Sequence, residues 1–244
     1  VIGERQRRAR TPNQGFFRIQ GDSSQDKPFK LKFKPGDIKK EWATNDGVEV
    51  VAYLNWADLH MPIRAVDETN AIATLSGDPR PSNREKDAQY FVENSPDLLD
   101  VPGEWYLDRK TGVLTYCADP AVDLTQAEVI APRLEELLIL KGDPTATNPV
   151  RNVVLRGLTF TYTDQSLPPA GYADTQAAVD IRGDIRAEAA TDCTVEDCVF
   201  THLSGYALEL GRGCQRWKII GNELVDLGAG GIRIGEVTPA ADPV

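Results

Sequence analysis

Cys193-Thr-Val-Glu-Asp-Cys-Val-Phe-Thr-His-Leu-Ser-Gly-Tyr-Ala-Leu-Glu209 decides the fold, because a related stretch follows at Trp217-Lys-Ile-Ile-Gly-Asn-Glu-Leu-Val-Asp-Leu-Gly-Ala-Gly-Gly-Ile-Arg233. A constant shift of 24, the difference between positions 193 and 217, superposes the two copies without a gap. Within each copy apolar and polar residues alternate, which indicates short β-strands. The aligned pairs are Val195 with Ile219, Cys198 with Asn222, Phe200 with Leu224, His202 with Asp226, Leu208 with Ile232 and Leu210 with Ile234.

Earlier segments join this repeat if two polar, turn-rich insertions are allowed. The insertions are predicted at about Thr163–Gln176 and Asp184–Asp192. The further alignments are 158–160 with 198–200 at a shift of 40, 179–181 with 208–210 at a shift of 29, and Leu138–Asp143 with Val179–Asp184.

A repeat of 24 residues that contains short strands predicts a stack of similar coils. One coil cannot enclose its inward face, whereas coils stacked about 4.8 Å apart bury a continuous apolar column. Helical repeats would show 3.6-residue spacing and leucine-rich repeats their own spacing, so neither fits. We therefore predict an all-β protein with a parallel β-helix, in which Asn222 bonds main-chain groups of neighbouring coils at a bend.

The first half of the chain predicts an irregular β-rich region at residues 1–128, followed by the coils at 129–244. Its segments are short, rich in β-branched or aromatic residues and bounded by turn formers. A short helix is predicted at Ser95–Asp100, and the basic run Arg5–Arg10 is either a solvated strand face or a substrate-facing group. The predicted strands are Phe29–Lys34, Val48–Tyr53, Asn70–Leu75, Glu104–Asp108 and Val113–Tyr116.

Composition argues against several classes of function. The chain has 27 basic and 37 acidic residues and a net charge of −10, so neither nucleic acid nor a membrane is expected as a partner. The same charge favours a neutral sugar over an acidic polysaccharide. No apolar run reaches the roughly 18 residues of a transmembrane helix. Two histidines exclude a His-rich metal site, and no metal or other cofactor is expected.

The four cysteines give no motif, since no C-x-x-C pair is present. We expect them to be buried free thiols, although a disulfide is not readable from sequence. The chain begins with Val1 and carries no apolar leader segment, so we expect any signal peptide to have been removed or to lie outside this sequence. Its first residues resemble the interior of a domain and its last strand-like segment ends shortly before Val244, so we expect an N-terminal piece of a longer protein.

Several stretches together resemble the right-handed, single-stranded parallel β-helix proteins of the glycoside-hydrolase type, of the pectin-lyase-like fold. These include bacterial β-xylosidases, xylanases and α-fucosidases. The resemblance covers most of the chain and implies a secreted or periplasmic enzyme that hydrolyses a plant-type polysaccharide or oligosaccharide. The first half resembles the β-rich region that these proteins insert near the start of the helix. The residues that carry the resemblance are Arg8–Asn13, Tyr90–Asn94, Leu99–Asp108, Gly112–Tyr116, Gly157–Phe160, Gly205–Leu210, Gly213-Cys214 and Asp226–Glu236.

Glycoside hydrolysis uses two carboxylates, about 5–5.5 Å apart for retention or roughly 6.5–9.5 Å for inversion. Stacked coils supply such distances from residues of one column. Asp226 and Glu236 are the predicted catalytic pair, because Asp226 precedes a glycine-rich turn and Glu236 ends a strand. His202 falls on the same column as Asp226, so the carboxylate either holds the imidazole protonated and oriented or is itself held ionised by it, and His202 is predicted to contact substrate. The alternatives are an Asx-type turn for Asp226 and a solvated strand end for Glu236.

Two further groups are predicted to contact substrate. Asp180, Glu209 and Arg233 form an outward column of acid, acid and base, which is either a sugar-binding face or a surface ladder of salt bridges. Two stacked acids favour the sugar-binding interpretation, since like charges repel. The second group is Tyr172, Asp174 and Gln176, in an insertion that suits ring stacking and hydroxyl hydrogen bonds.

Two other functions remain open for such a fold, because fold alone does not decide function. A polysaccharide lyase would use a Lys or Arg base, often with Ca²⁺, and the acidic balance argues against it. A non-catalytic β-helix adhesin or carbohydrate-binding module would be indifferent to replacement of Asp226 and Glu236.

Overall fold

The computed structural model describes residues 3–21, 26–45, 47–77, 85–143 and 148–237, and these residues confirm an all-β protein. The only helices in these ranges are two short 3-10 turns, Lys40–Ala43 and Pro96–Leu98, neither of which could cross a bilayer. The strands are β1 (Arg7–Arg8), β2 (Arg10–Thr11), β3 (Phe17–Arg18), β4 (Lys30–Lys32), β5 (Glu49–Tyr53), β6 (Asp58–Asp67), β7 (Ile72–Leu75), β8 (Gln89–Glu93), β9 (Glu104–Asp108), β10 (Val113–Tyr116), β11 (Leu138–Lys141), β12 (Val150–Arg151), β13 (Val154–Arg156), β14 (Thr159–Thr161), β15 (Tyr172–Ala173), β16 (Gly183–Glu188), β17 (Ala190–Thr191), β18 (Thr194–Glu196), β19 (Val199–Leu203), β20 (Tyr206–Leu210), β21 (Lys218–Ile220), β22 (Glu223–Leu227) and β23 (Gly230–Ile234).

The chain divides into two compact units. Unit 1 comprises Val1–Val129 and the later segment Leu167–Ala177, and unit 2 comprises Ile130–Ser166 and Ala178–Val244. Unit 1 is therefore discontinuous. The returning segment joins it through β15, which pairs antiparallel with β6.

Unit 1 is built on a largely antiparallel sheet in the order β2-β8-β5-β6-β7-β4, with β3 on β8 and β15 on β6. One face of this sheet forms an apolar core with Phe29, Trp42 and Tyr90 among its fully buried side chains. The predicted helix at Ser95–Asp100 is the single 3-10 turn at Pro96–Leu98. The long strand β6 has no counterpart among the predicted strands. It contains Pro62, which carries no amide hydrogen for a ladder, and its register with β7 shifts between Ile63 and Ala65.

Unit 2 consists of parallel sheets that the chain visits in a repeated order. The sheets are β13-β18-β21, β14-β19-β22, β11-β16-β20-β23 and the pair β12-β17. Strands β18, β19 and β20 are followed by β21, β22 and β23 in the same sheets. Each strand thus lies beside its own counterpart from the next repeat.

The registers confirm two of the repeat shifts. Val195 lies beside Ile219 and Leu208 beside Ile232, as the gapless superposition of the two copies predicts. Phe160 lies beside Phe200, as the alignment across the first insertion predicts, with ring centroids 5.2 Å apart in a stacked arrangement. Five of these six side chains belong to one apolar cluster, which explains why the pattern is visible in the sequence, whereas Ile232 is 39% exposed.

The predicted alignment of 179–181 with 208–210 is wrong. Strand β16 pairs with β20 so that Ile185, and not Val179, lies beside Leu208. Leu138 also lies beside Ile185, so its predicted match with Val179 is wrong too. The predicted insertion at Asp184–Asp192 in fact contains strands β16 and β17. The sequence pattern did not indicate these strands because several of their buried residues are alanines, whose small side chains give only a weak apolar pattern.

Three bends separate the strands of each repeat, and the residues at each bend have left-handed backbone conformation. This conformation is uncommon outside glycine, asparagine and aspartate. At one bend Asn222 accepts from the Cys198 amide and donates to the Val195 carbonyl, both at 2.9 Å, which confirms its predicted bridging role. The left-handed positions are Asn152, Asp192 and Arg216 at the first bend, Gly157, Asp197 and Gly221 at the second, and Tyr162, His202 and Asp226 at the third.

Candidate functional site

The third bend of unit 2 carries a column of polar and aromatic side chains, which we call the bend column: Tyr162, His202 and Asp226. Their φ angles are 63°, 54° and 53°. For a bulky residue such as tyrosine this conformation is an outlier. Such positions cost free energy, and they often occur at functional sites. Tyr162 directly follows β14, whereas His202 and Asp226 lie one residue before the ends of β19 and β22, so each member is one strand away from the next.

The three side chains of the bend column touch in sequence. The rings of Tyr162 and His202 lie 5.4 Å apart between centroids, tilted by 42°. His202 Nε2 lies 3.5 Å from Asp226 Oδ2, within ion-pair distance. The other ring nitrogen, Nδ1, lies 2.8 Å from Thr201 Oγ1. An aromatic ring, an imidazole and a partly exposed carboxylate therefore lie in contact along this column. The contact between His202 and Asp226 is the one that the repeat predicts.

The turn after the bend column is held by a buried carboxylate that the sequence did not single out. Asp184 is 1% exposed and accepts from Thr163 Oγ1 at 2.7 Å and from the Gly205 amide at 3.2 Å. Burial raises the pKa of Asp184, and these hydrogen bonds oppose that shift. Thr163 Oγ1 also accepts from the Ser204 amide at 2.7 Å. The chain leaving His202 is thus fixed by a buried polar network.

Gly228, just after Asp226, has a structural reason to be glycine. The sequence pattern predicts that the glycine-rich turn lets a ligand approach the backbone closely. A Cβ at Gly228 would instead lie 2.0 Å from the carbonyl oxygen of Ser204, in the turn between β19 and β20 of the preceding repeat. Close packing between repeats, and not ligand access, requires this glycine.

The outward column of unit 2 differs from the one predicted. Arg186, and not Asp180, lies beside Glu209, and Glu209 lies beside Arg233. The order is therefore base, acid, base, and the argument from two stacked acids is wrong. Asp180 lies in the turn before β16, because the strand begins at Gly183.

Glu209 and Arg233 are bonded mainly to the protein itself. Glu209 accepts from the Gly183 amide at 2.7 Å and pairs with Arg233 Nη2 at 2.7 Å. Arg233 Nη1 donates to the carbonyls of Val179 and Ile181, and its guanidinium lies 5.3 Å from the centre of the Tyr206 ring. These contacts favour the structural interpretation of the ladder.

Glu236 is an exposed residue just beyond β23. Its Oε1 accepts a hydrogen bond of 2.5 Å from the Arg212 amide, one repeat earlier. The carboxylate therefore links two successive repeats, while its exposed position leaves it accessible to solvent. This hydrogen bond leads to the turn after β20 and not to the bend column.

The predicted loop contacts lie in unit 1. Tyr172 lies beside His60 in the pairing of β15 with β6. Its hydroxyl donates to Asp174 Oδ2 at 2.7 Å, and Asp174 Oδ1 accepts from the Thr175 amide. Asp174 is fully buried, which is the arrangement of a structural carboxylate, whereas Gln176 is exposed.

Unit 1 also contains a charged group that the sequence did not predict, which we call the sheet cluster: Arg8, Glu49, Asp58, His60 and Glu93. Arg8 Nη1 donates to Glu49 and Glu93, the latter at 3.1 Å. His60 Nε2 lies 3.3 Å from Asp58 Oδ2. The acids and His60 come from β5, β6 and β8, which pair with one another, whereas Arg8 comes from β1 in the separate sheet with β9, so the fold and not the sequence spacing brings them together. Arg8 is thus a member of the basic run that faces acids, as is Arg7, whose Nε lies 3.7 Å from Glu104 Oε1.

Two groups of the sheet cluster, Glu93 and His60, have pKa values that are raised in the folded protein. Burial raises the pKa of Glu93, and nearby Glu49 adds to this although Arg8 opposes it. Burial lowers the pKa of His60, but Asp58, Glu49 and Glu93 outweigh it, so the pKa is raised. Glu49, His60 and Glu93 each bring one possible metal-ligand atom within 4.8 Å of the others. Any ion there would compete with Arg8, which already bonds to both glutamates.

Comparison with known proteins adds a likeness of fold. No family model and no curated protein matches the chain. A solved structure titled "Glycoside hydrolase" is similar, with a TM-score of 0.76 and 22% sequence identity. The match covers 98% of this chain and 48% of that one, so the chain spans about half the length of the protein it resembles. At this identity the likeness concerns the fold.

Proposed function

We propose that this chain is part of a glycoside hydrolase that cleaves a plant-type polysaccharide or oligosaccharide with two carboxylates. The observation that carries the proposal is the bend column. In this column the partly exposed Asp226 lies beside His202, and the ring of Tyr162 lies on the other side of His202. A ring can stack on the apolar face of a sugar, and a carboxylate can bind its hydroxyls or attack its anomeric carbon. The similar solved structure titled "Glycoside hydrolase" supports the same class.

We further propose that unit 2 forms the coils of a right-handed, single-stranded parallel β-helix, pectin-lyase-like, preceded by the β-rich region. Parallel sheets visited in a fixed order, with a constant repeat shift and repeated left-handed bends, support this class. Such a stack places residues of one column about 4.8 Å apart, which supports catalysis by groups on neighbouring coils.

In this proposal Asp226 is one catalytic carboxylate, and Glu236 or a carboxylate elsewhere in a longer protein is the other. His202 orients Asp226. Tyr172, Gln176, Asp180, Glu209 and Arg233 stay predicted substrate contacts, with weaker support because several of them bond to the protein itself. The net charge of −10 favours a neutral sugar, and a polysaccharide substrate places the protein in the periplasm or outside the cell.

The test is mass spectrometry of products after incubation with neutral and acidic oligosaccharides. Hydrolysis adds one water per cut, and we expect this mass with a neutral substrate. Asp226→Asn should lower kcat by at least about 100-fold if Asp226 takes part in acid–base or nucleophilic chemistry. Glu236→Gln should do the same if it is the second carboxylate.

Asp192→Asn is the matched control, because Asp192 also has a left-handed backbone, with φ 58°, but pairs with Arg216 at 2.6 Å on another bend. Its activity should equal that of the wild type. Unsaturated products without added water would replace the hydrolase proposal with a lyase. Binding without any product, unchanged in Asp226→Asn, would favour a binding module.

A further inference from the structure

We propose that Thr201 holds the neutral ring of His202 in the tautomer with its hydrogen on Nε2, so that Nε2 is the nitrogen that donates toward Asp226. Asp226 is then the nucleophile or the water-activating base, and the proton donor is a different group. The role given to Asp226 rests on the proposed function, whereas the tautomer of His202 does not.

The contact between Thr201 and His202 depends on the left-handed bend. Neighbouring residues in an extended strand point to opposite faces and do not meet. His202 departs from the extended conformation with φ 54°, and its Nδ1 lies 2.8 Å from Thr201 Oγ1. The sequence pair Thr-His by itself therefore gives no sign of this contact.

The identity of the partners fixes the direction of the hydrogen bonds. An ionised carboxylate can only accept, so the nitrogen that faces Asp226 must carry the hydrogen. That nitrogen is Nε2, at 3.5 Å. In the neutral ring Nδ1 is then an acceptor, and the Thr201 hydroxyl donates to it. A hydroxyl that donates to one ring nitrogen sets which hydrogen bond the other can make.

Thr201 is well placed to hold this geometry. It lies within β19, between Thr161 of β14 and Val225 of β22, so parallel strands flank it on both sides. Its β-branched side chain has restricted rotation about χ1. In this proposal Thr201 acts on Asp226 through His202, so it is a positioning residue.

The tautomer can be read by NMR without any substrate. The chain has two histidines, so long-range ¹H–¹⁵N spectra of ¹⁵N-labelled protein contain two ring systems, and a His60→Gln variant assigns them. At a pH where the ring is neutral, we expect His202 to show the Nε2–H tautomer alone. Thr201→Val keeps the shape but removes the donor, and should give a mixture with Nδ1–H. Thr201→Ser should restore the single tautomer.

Thr161→Val is the matched control. Thr161 lies in register with Thr201 one strand away, and its Oγ1 is buried with no hydrogen-bond partner among the described residues. This variant should leave the His202 tautomer unchanged and should show whether loss of a threonine hydroxyl in this sheet disturbs folding. An Nδ1–H tautomer in the wild type, or an unchanged tautomer in Thr201→Val, would overturn the proposal.

Activity supplies a second, separable reading once a substrate is known. Thr201→Val should lower kcat by roughly 10- to 100-fold, the loss seen when partners that orient metal-bound histidines are removed, with little change in KM. Thr201→Ser should recover most of it. If the tautomer is as expected but neither this chain nor a longer protein that contains it hydrolyses a sugar, the proposed function fails and the tautomer assignment stands. Wild-type activity that is equal in Thr201→Val contradicts the role assigned to Thr201.

Discussion

Individual residues of unit 1 show how partners set the charge of a sheet face. His60 and Asp58 lie in one strand, separated by a single residue, so their side chains share a face. The hydrogen bond with His60 lowers the pKa of Asp58. The pKa of His60 is raised in the folded state, because its acidic neighbours outweigh its burial. Protonated His60 is therefore favoured by folding.

The stability of unit 1 should consequently depend on pH near neutrality. A raised folded-state pKa contributes stability below the unfolded value, about 6.5 for histidine, and this contribution is lost as pH rises through the higher folded value. We expect the urea midpoint to fall between about pH 6.5 and 8 more steeply in the wild type than in Asp58→Asn.

His60→Asn should also flatten the profile, because it removes the titrating ring, whereas in Asp58→Asn the ring remains beside Glu49 and Glu93. Urea unfolding of each variant across this pH range, followed by tryptophan fluorescence, provides the measurement. Equal slopes in the wild type and in both variants would show that the pair does not titrate in this range.

At the scale of the element, the repeat shows what a single sequence can and cannot predict. The gapless superposition of the two copies is readable because large apolar side chains recur in the same buried columns. The segment before it is misaligned because Ala187 and its neighbours fill the inward positions with small side chains. The His202–Asp226 pair can be predicted from the gapless repeat. The contact of His202 with Tyr162 can be predicted only when the position of the insertion between these two residues is known.

Asn222 should be a strong contributor to the stability of the stacked strands. It makes two hydrogen bonds to the main chain of the preceding repeat. Asn222→Ala removes both and leaves main-chain groups in a partly buried bend without partners. We expect the free energy of unfolding to fall by about 2–3 kcal/mol.

Arg216→Ala offers the contrast to Asn222→Ala, since it removes an ion pair between the same two repeats that is exposed to solvent. Exposed pairs contribute little, so this variant should unfold close to the wild type. Denaturant unfolding of both variants makes the comparison. A larger loss in Arg216→Ala than in Asn222→Ala would contradict the assignment.

At the scale of the whole molecule, distance along the chain limits what can be foreseen. The sheet cluster combines residues near positions 8, 49, 60 and 93, and each alone reads as an ordinary surface charge. Sequence spacing carries no information about such a meeting, because it depends on strand order in the sheet. The all-β class is predictable from local patterns, whereas this charged face is not.

The cysteines provide probes of both units. All four are free thiols, with Cys193 and Cys198 buried and Cys117 and Cys214 half-buried. Burial raises the pKa of the Cys214 thiol, which reduces its reactive thiolate. With iodoacetamide near neutral pH, we expect Cys117 to react first and Cys193 and Cys198 at least about tenfold more slowly.

Peptide mass spectrometry after timed labelling measures each cysteine separately. In rising denaturant, labelling of Cys193 and Cys198 should follow the opening of unit 2, while Cys117 reports unit 1. A reductant should leave the unfolding midpoint unchanged because the thiols are free. Rapid labelling of Cys193 in the native protein would contradict the buried cluster.

The return of β15 to unit 1 has a consequence for how the protein is made and dissected. The ribosome must synthesise β11 to β14 of unit 2 before the last strand of unit 1 emerges, so unit 1 cannot acquire all of its strands first. A truncation after Val129 would leave β6 without β15, and a protease cutting once anywhere in the chain would not yield the two units as separate pieces. Gene fragments that respect the fold therefore need two joins, with residues 167–177 transferred to the end of the first unit.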